Sequence, residues 1–355
     1  MKSRSDREAQ VRSSHMGSNE QFYKDVSRIH QIIKGLVTIE EEQLSSALPS
    51  DMPEIVGRVN EIILRSISEI SSTHLADKIN KVRQSLITPL VESESNEYEI
   101  QPWLISRAVL PHLLKQHHFI VANGLNVTDD SGIRVKLTKE LHELTDLILD
   151  NMKKNVESLK NSDRYAQRLK KFEEIRHTLL KEFLEIKDYD GALAMAEKYL
   201  DFDILVTASV ERGDYEMLEH YFEKYDTFPE FTFEWFVKQK KHNELVTQFV
   251  HSRVRSRLAR FLRAYPELLW HYQTIVGDIQ DASVTLKQMA FSEESDPEDR
   301  LLYLQLSKLG LLASGVSPDE VDAMREYDET NYKEDVDLDK LSNMSINEAA
   351  LLPPM

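Results

Sequence analysis

The sequence predicts an all-α protein, built as an irregular α-helical stack of the α-solenoid kind. Only 10 Gly and 11 Pro occur among 355 residues, too few for the many turns of a strand-rich chain. Apolar residues recur three to four positions apart over long stretches, which gives a helix one apolar face. In the second half these patterns become short and are separated by two or three residues. Because short helices in a row pack mainly on their sequence neighbours, we expect an elongated particle.

The composition restricts the possible functions. Hydrophobic residues make up 41% and charged residues 30% of the chain, as in an ordinary globular protein. Cysteine is absent, which excludes disulfides and thiolate metal sites. No run of eighteen apolar residues occurs, so no membrane span is predicted. The net charge of −17 repels phosphate backbones and argues against general nucleic-acid binding.

The chain divides into four predicted parts. Residues 1–18 contain no apolar core and end in Ser-Ser-His-Met-Gly-Ser, which resembles an expression-vector scar and is left out of fold reasoning. Residues 19–186 form a long-helix part of the stack, and residues 187–327 form a part of short stacked helices. Residues 328–355 are predicted to be an acidic linker toward a further C-terminal domain.

Each element of the first half follows from apolar spacing and helix-breaking residues. Asp51 can cap the second helix and Pro53 fits its first turn. The third helix is expected to bend at Pro111. Gly124 and Gly132 mark a turn-rich connection before the fourth helix. The predicted helices are 19–47, 51–86, 103–120, 138–159 and 164–186.

The second half begins with a weak repeat. Asp-Tyr at 188–189 precedes Glu-Lys-Tyr at 197–199 by nine positions, and the same pattern recurs 26 residues later, from 214 to 225. A helical wheel of 190–201 places Asp190, Glu197, Lys198 and Asp201 on one narrow polar stripe. The remaining apolar positions, Leu200 among them, need several neighbours to bury them. Further helices are predicted at 230–240, 244–249, 254–265, 266–276, 281–291, 297–314 and 318–327.

Twelve histidines raise the question of a metal site. His112, His117 and His118 share a helix, but their spacing does not place them on one face. The run 142–146, His-Glu-Leu-Thr-Asp, resembles a two-histidine zinc helix with Asp where the second His should be. We therefore predict no metal site and interpret the histidines as solvated or capped, with His74 as a hydrogen-bonded core residue.

No other pattern predicts catalysis or cofactor binding. Asp335, Asp337 and Asp339 alternate like the start of a calcium loop, but Lys340 replaces its Gly and Ile346 its bidentate Glu. Phosphate-binding glycine loops and nucleophile elbows are absent from the sequence. We predict no catalytic, cofactor-binding or metal-binding residue, no cofactor and no enzymatic activity.

Two clusters admit more than one interpretation. A basic amphipathic helix at 254–265 could bind a membrane or an acidic partner, or its arginines could cover acidic neighbouring helices of the same stack. The favoured interpretation is the internal one. An aromatic cluster is interpreted as core between helices and not as a ligand box. The arginines are Arg253, Arg255, Arg257, Arg260 and Arg263, and the aromatic residues are Phe228, Phe231, Phe233, Trp235 and Phe236.

Four runs stand out in the second half of the chain. They are 188–199 (Asp-Tyr-Asp-Gly-Ala-Leu-Ala-Met-Ala-Glu-Lys-Tyr), 231–236 (Phe-Thr-Phe-Glu-Trp-Phe), 258–262 (Leu-Ala-Arg-Phe-Leu) and 304–314 (Leu-Gln-Leu-Ser-Lys-Leu-Gly-Leu-Leu-Ala-Ser). In their order and spacing, these runs resemble the 133-kilodalton nucleoporin family. The resemblance covers about 187–314, and the first half is similar only in helical texture. Each run is a packing motif with no catalytic residue, so only the four runs together, in this order, are specific for the family.

The resemblance implies the stalk of a scaffold subunit of the Y-shaped, outer-ring complex of the nuclear pore, at the nuclear envelope. Such a role supports pore assembly and transport of mRNA and protein. The implied partners are other nucleoporins of that complex, notably the 107-kilodalton nucleoporin, through a C-terminal region expected to lie outside this chain. The chain itself is expected to be a monomer with no direct membrane contact. The alternative is the stalk of another helical coat or tether subunit, such as the 155-kilodalton nucleoporin or a vesicle-coat protein.

Overall fold

The computed structural model describes residues 29–72, 103–292, 297–319 and 321. These ranges contain fourteen α-helices and no strand, which confirms the predicted all-α stack. The chain divides into two compact units between Gly213 and Asp214. The predicted leader 1–18 and the acidic segment 328–355 lie outside the described residues, as do most of the predicted helix 318–327 and the end of 51–86.

The first unit contains four long helices of 18–28 residues and three short ones of 10 or 11 residues. Its α-helices are α1 (Ile29–Ser46), α2 (Met52–Ser72), α3 (Leu110–Phe119), α4 (Ser131–Ser158), α5 (Tyr165–Glu185), α6 (Tyr189–Tyr199) and α7 (Phe202–Arg212). The pair α1 and α2 packs against α3 and α4, and α5 connects these helices to α6 and α7. Most core side chains are aliphatic, with Ile63, Leu141 and Leu180 fully buried.

The second unit consists mostly of short helices. They are α8 (Tyr215–Lys224), α9 (Phe228–Lys238), α10 (His242–Phe249), α11 (Arg255–Leu262), α12 (Pro266–Val276), α13 (Ile279–Ala290) and α14 (Pro297–Ala313). From α6 to α13 the helices have 8–12 residues, so they are short as predicted. The predicted bounds of α12 are those observed.

The predicted bend at Pro111 is wrong. Trp103–Ile105 forms a separate 3-10 turn, and α3 begins at Leu110. Pro111 therefore stands in the first turn of a helix, where a missing N–H costs no hydrogen bond and no bend is required.

The predicted turn-rich connection exists only at 126–130, and its prediction is wrong at Gly124 and Gly132. The chain continues from α3 directly into a π-helical turn, Ile120–Leu125. A Cβ atom on Gly124 would lie 2.9 Å from Leu137 Cδ1 on α4, so glycine permits close helix packing there. Gly132 lies inside α4, whose first N–H groups are capped by Asp130 (2.7 Å from Gly132 N). α4 consequently starts seven residues before the predicted position 138.

Candidate interaction surface

The contacts at the start of α6 explain why the run 188–199 begins with Asp188 and has Gly191 three positions later. Asp188 caps the helix, with Oδ1 accepting a hydrogen bond from Gly191 N at 3.1 Å. Its Oδ2 atom lies 2.6 Å from His142 Nε2 of α4. A Cβ atom on Gly191 would lie 2.4 Å from both Asp188 Oδ2 and His142 Nε2. The Asp-x-x-Gly spacing thus caps one helix and fixes it to another.

Asp188 is held as a carboxylate in this contact. Burial by itself would raise its pKa, but the hydrogen bonds from His142 and from Gly191 N lower the pKa below its ordinary value. Asp214, at the equivalent position of the repeat, caps α8 by accepting from Met217 N at 3.1 Å. The 26-residue offset therefore reflects two helix starts of the same type.

The zinc-like run 142–146 is divided between two different contacts. His142 binds Asp188, whereas Asp146 accepts a 2.7 Å hydrogen bond from Tyr199 Oη and pairs with Lys198. The two side chains thus fix α4 to opposite ends of α6. Within the described residues, no group of three or more His, Asp or Glu side chains is arranged to hold a metal ion. His74 and the aspartates at 335–339 lie outside those residues.

His117 differs from the prediction that the histidines are solvated or capped. Its side chain is fully buried, with Nδ1 2.6 Å from Glu182 Oε2 and Nε2 2.9 Å from Thr145 Oγ1. His118 is exposed and contacts the other oxygen of Glu182 at 3.1 Å. Burial would raise the pKa of Glu182, but the two histidines lower it. This cluster joins α3, α4 and α5.

Asp201 corrects the helical wheel drawn for 190–201. It is only 2% exposed, because α6 ends at Tyr199 and Leu200 turns into the left-handed region with φ 59°. Asp201 instead caps α7 through Ile204 N and accepts a 2.9 Å hydrogen bond from Arg176 Nε of α5. Leu200, predicted as apolar contact surface, is 50% exposed.

The aromatic cluster is core, as predicted. Four of its members are buried and Phe231 is half-buried. Phe233 contacts the rings of Phe222, Phe249 and Phe261 with centroids 5.5–6.2 Å apart. One aromatic core therefore joins α8, α9, α10 and α11.

Two of the five arginines are used inside the second unit, as the internal interpretation predicted. Arg257 makes a two-pronged contact with Glu230 of α9, with Nε 2.8 Å and Nη2 2.9 Å from its oxygens. Arg257 Nη2 also donates to the carbonyl of Asp226 at 2.7 Å. Arg253 pairs with Glu223 of α8. Arg257 therefore positions α11 against α9, which makes it unsuitable as a probe of an outer surface.

The other three arginines form what we call the arginine face: Arg255, Arg260 and Arg263. Their side chains are exposed, and the described residues offer them no ion-pair partner. No Asp or Glu occurs between Glu244 and Glu267. The arginine face is thus a basic area on an otherwise acidic chain.

Two surface depressions in the described part of the chain do not resemble ligand pockets. One, of about 390 Å³, is lined by Glu219, His220, Glu223, His251, Ser252 and Arg253. The other, of about 420 Å³, is lined by Glu61, Leu64, Arg65, Lys136, Lys139, Glu140 and Glu143. Both are open and lined mainly by charged side chains, several of which pair with one another, whereas ligand sites are mostly apolar clefts.

The last described helices pack closely through a glycine. A Cβ atom on Gly310 of α14 would lie 2.3 Å from Ser283 Oγ of α13, and Ser307 Oγ donates to the Ser283 carbonyl at 2.8 Å. Elsewhere on α14, Leu309 and Leu312 are 64% and 44% exposed. This close approach explains why the run 304–314 has a glycine at position 310. None of the helices in the described part of the chain is both long and apolar enough to cross a bilayer.

Comparison with known proteins gives a family match. Residues 134–342 match the family described as "Non-repetitive/WGA-negative nucleoporin C-terminal", which is more than half of the chain. The match includes all four runs singled out in the sequence.

Individual relatives agree with this match. The chain is 27% identical over 303 residues to Nuclear pore complex protein Nup133 of Drosophila melanogaster, an alignment covering 83% of this chain and 24% of the relative. It is 29% identical over 309 residues to the Homo sapiens protein of that name, covering 84% and 26%. The Danio rerio protein is 29% identical over 301 residues, covering 82% and 26%. The chain thus spans about a quarter of the length of these curated relatives.

Proposed function

Because this chain belongs to the non-repetitive/WGA-negative nucleoporin C-terminal family, we propose that it is part of a structural scaffold subunit of the nuclear pore complex in the nuclear envelope. The match over 134–342 is the observation that carries this proposal. The Nup133 relatives confirm the resemblance to the 133-kilodalton nucleoporin family. They also disfavour the alternative of a 155-kilodalton nucleoporin or a vesicle-coat stalk. Support for pore assembly and for transport of mRNA and protein is part of the same proposal.

The polar contacts of the described residues support a structural role. Asp188 and Asp201 each cap one helix and bind a second, Arg257 joins α11 to α9, and Gly310 lets α14 approach α13. Such groups hold helices in register. We propose that the stack has a non-enzymatic role and serves as a spacer that sets the distance between the regions flanking it.

The spacer proposal requires an elongated particle. A compact chain of 355 residues would have a radius of gyration of roughly 20 Å. Small-angle scattering of the monomer should give a clearly larger value. A value near 20 Å would contradict the spacer role while leaving membership of the pore scaffold intact.

The proposed partners are other nucleoporins, with the 107-kilodalton nucleoporin bound through residues C-terminal to this chain. A titration of that partner should show no binding to the 355-residue chain and clear binding to a chain extended to its natural C-terminus. Equal affinity for both would place the docking surface within these residues.

If both chains bind the partner with equal affinity, the arginine face is the first surface to mutate. Arg260→Glu should then weaken binding without unfolding the chain, because exposed charges contribute little to stability but much to the encounter with a partner. The matched control is Lys238→Glu, which reverses an exposed charge on α9. Loss of affinity in both variants alike would indicate a nonspecific charge effect.

A further inference from the structure

Two buried carboxyl groups of the first unit face an amide of a neighbouring helix. Glu40 of α1 accepts a hydrogen bond from Gln116 Nε2 of α3 at 3.2 Å. Glu140 of α4 accepts one from Asn60 Nδ2 of α2 at 3.2 Å. Glu40, Gln116 and Asn60 are fully buried, and Glu140 is 8% exposed. An ionised carboxylate in such a place is costly unless a cation or several donors compensate it.

The pair of Glu40 and Gln116 leaves two oxygens without a hydrogen-bond partner, Glu40 Oε2 and Gln116 Oε1. If Glu40 is ionised, both atoms are acceptors and neither can satisfy the other. A proton on Oε2 turns this atom into a donor, and its hydrogen bond to Gln116 Oε1 would satisfy both oxygens at once. We propose that Glu40 is protonated in the folded protein and closes an acid–amide pair with Gln116, a proton-dependent latch between α1 and α3.

The charged groups around the latch do not neutralise Glu40. Along the α1–α3 contact, Glu41 pairs with Lys115 at 2.5 Å. Burial, together with the charges of Lys34 and Lys115, lowers the pKa of His112. On α2, Glu54 pairs with Arg58, and Glu61 pairs with Arg65 and with Lys136 of α4. No described cation lies within ion-pair distance of Glu40. Protonation is therefore the means of removing its charge.

The direction of the pH dependence follows from this burial. Burial raises the pKa of Glu40 from 4.5 to about 8, although the hydrogen bond from Gln116 opposes the rise. The folded state then binds more protons than the unfolded state between these values. The contribution of the latch to the stability of the folded state is fully present below pH 4.5 and is lost as pH rises through about 8. Burial and the two lysines lower the pKa of His112, so His112 is neutral before Glu40 titrates.

Glu140 provides a matched contrast. Its Oε1 atom lies 3.6 Å from Lys136 Nζ, so a cation is available to compensate its charge. Burial raises the pKa of Glu140 too, but Asn60 and Lys136 oppose the rise. The two acid–amide contacts thus share their geometry and differ in the nearby cation.

The latch is tested by hydrogen–deuterium exchange of the 355-residue chain and of Glu40→Gln, each at about pH 5 and about pH 9. The variant keeps an NH₂ donor for Gln116 Oε1 but has no ionisable proton. At about pH 9 the α1 amides of the wild type should exchange about tenfold faster than those of Glu40→Gln. At about pH 5 the exchange rates of the two proteins should agree within about twofold. The two proteins are compared at the same pH, because the intrinsic rate of amide exchange, which depends on pH, is then the same for both. Glu140→Gln should behave like the wild type in α1 at both pH values.

Infrared spectroscopy of the wild type provides a second measurement that does not depend on the folding of a variant. A protonated carboxyl band should persist at about pH 7 and fall to about a tenth of its intensity by about pH 9. The band should also remain at pH 7 in Glu140→Gln, which shows that it does not come from Glu140. Absence of this band at pH 7 would overturn the proposal of a protonated Glu40. So would a ratio of the wild-type exchange rate to that of Glu40→Gln that is the same at both pH values.

Discussion

The two units solve the same packing problem with different side chains. In the first unit, helices of up to 28 residues bury aliphatic side chains and are joined by polar contacts such as Asp188 with His142 and Asp201 with Arg176. In the second unit, helices of eight to eleven residues meet around an aromatic core that includes Phe233 and Phe249. A short helix offers few inward positions, and in α8 to α11 large rings at those positions supply much of the buried area.

The difference has an energetic consequence. Aromatic and aliphatic burial is nondirectional and roughly proportional to area, so the second unit should depend on the size of its side chains. A hydrogen-bonded ion pair requires one geometry and is costly when half of it is lost. The first unit should therefore depend on complete polar pairs as well as on apolar volume.

The largest effect is expected from Phe233→Ala in the second unit. Phe233 is fully buried among Phe222, Phe249 and Phe261, so the free energy of unfolding should fall by about 4 kcal/mol. Phe231→Ala, at a half-buried position two residues away, should cost about 1 kcal/mol. Urea midpoints measure both changes. Equal midpoints would show that the rings do not form one core.

Asp201→Ala should cost slightly less, about 3 kcal/mol, in the first unit. The change removes the cap of α7 and leaves Arg176, whose side chain is 15% exposed, without its carboxylate. Asp203→Ala changes an acidic residue in the first turn of the same helix that is only half-buried, and should cost about 0.5 kcal/mol. A loss for Asp201→Ala as small as that of the control would remove the distinction between the two units.

Gly191→Ala tests the close approach of α4 and α6 with a single methyl group. The added carbon would lie 2.4 Å from Asp188 and His142, so that contact must open, at a cost of about 2 kcal/mol. Ala is otherwise the better helix former by about 1 kcal/mol. A stabilised Gly191→Ala variant in thermal unfolding would therefore contradict the packing role of Gly191.

Apolar periodicity was enough to predict most of the helices, although α7 was not among them, and the aromatic core. The predicted and observed bounds of α12 are the same, and those of α5 differ by one residue at each end. These elements were predictable because their residues obey local rules. Spacing fixes the buried face, and Pro266 starts a helix wherever it lies in space.

The failures arose where a residue served a distant partner. Gly124 was interpreted as a turn residue because the sequence does not show Leu137 against it. Asp201 was placed on a solvated stripe because its partner, Arg176, lies 25 positions earlier. Asp201 does stand directly before the mostly apolar run Phe-Asp-Ile-Leu-Val, a cap signal that could have placed the start of a new helix at this position.

The smallest expected effect concerns the arginines of α11. Arg257→Ala should lower the free energy of unfolding by about 1 kcal/mol, because a two-pronged contact with Glu230 is lost at a site that is still partly open to water. Arg260→Ala, on the arginine face, should change stability by less than about 0.5 kcal/mol. Chemical denaturation at low and high salt measures both variants.

Salt separates the structural contact from the charged surface. The attraction between Arg257 and Glu230 is screened by ions, so the difference between Arg257→Ala and the wild type should shrink in high salt. Arg260 has no described ion-pair partner to lose, so its small effect should not depend on salt in that way. If Arg260→Ala proved as destabilising as Arg257→Ala, the division of these arginines into internal contacts and an outward face would be wrong, and a basic helix in this stack would serve stability throughout.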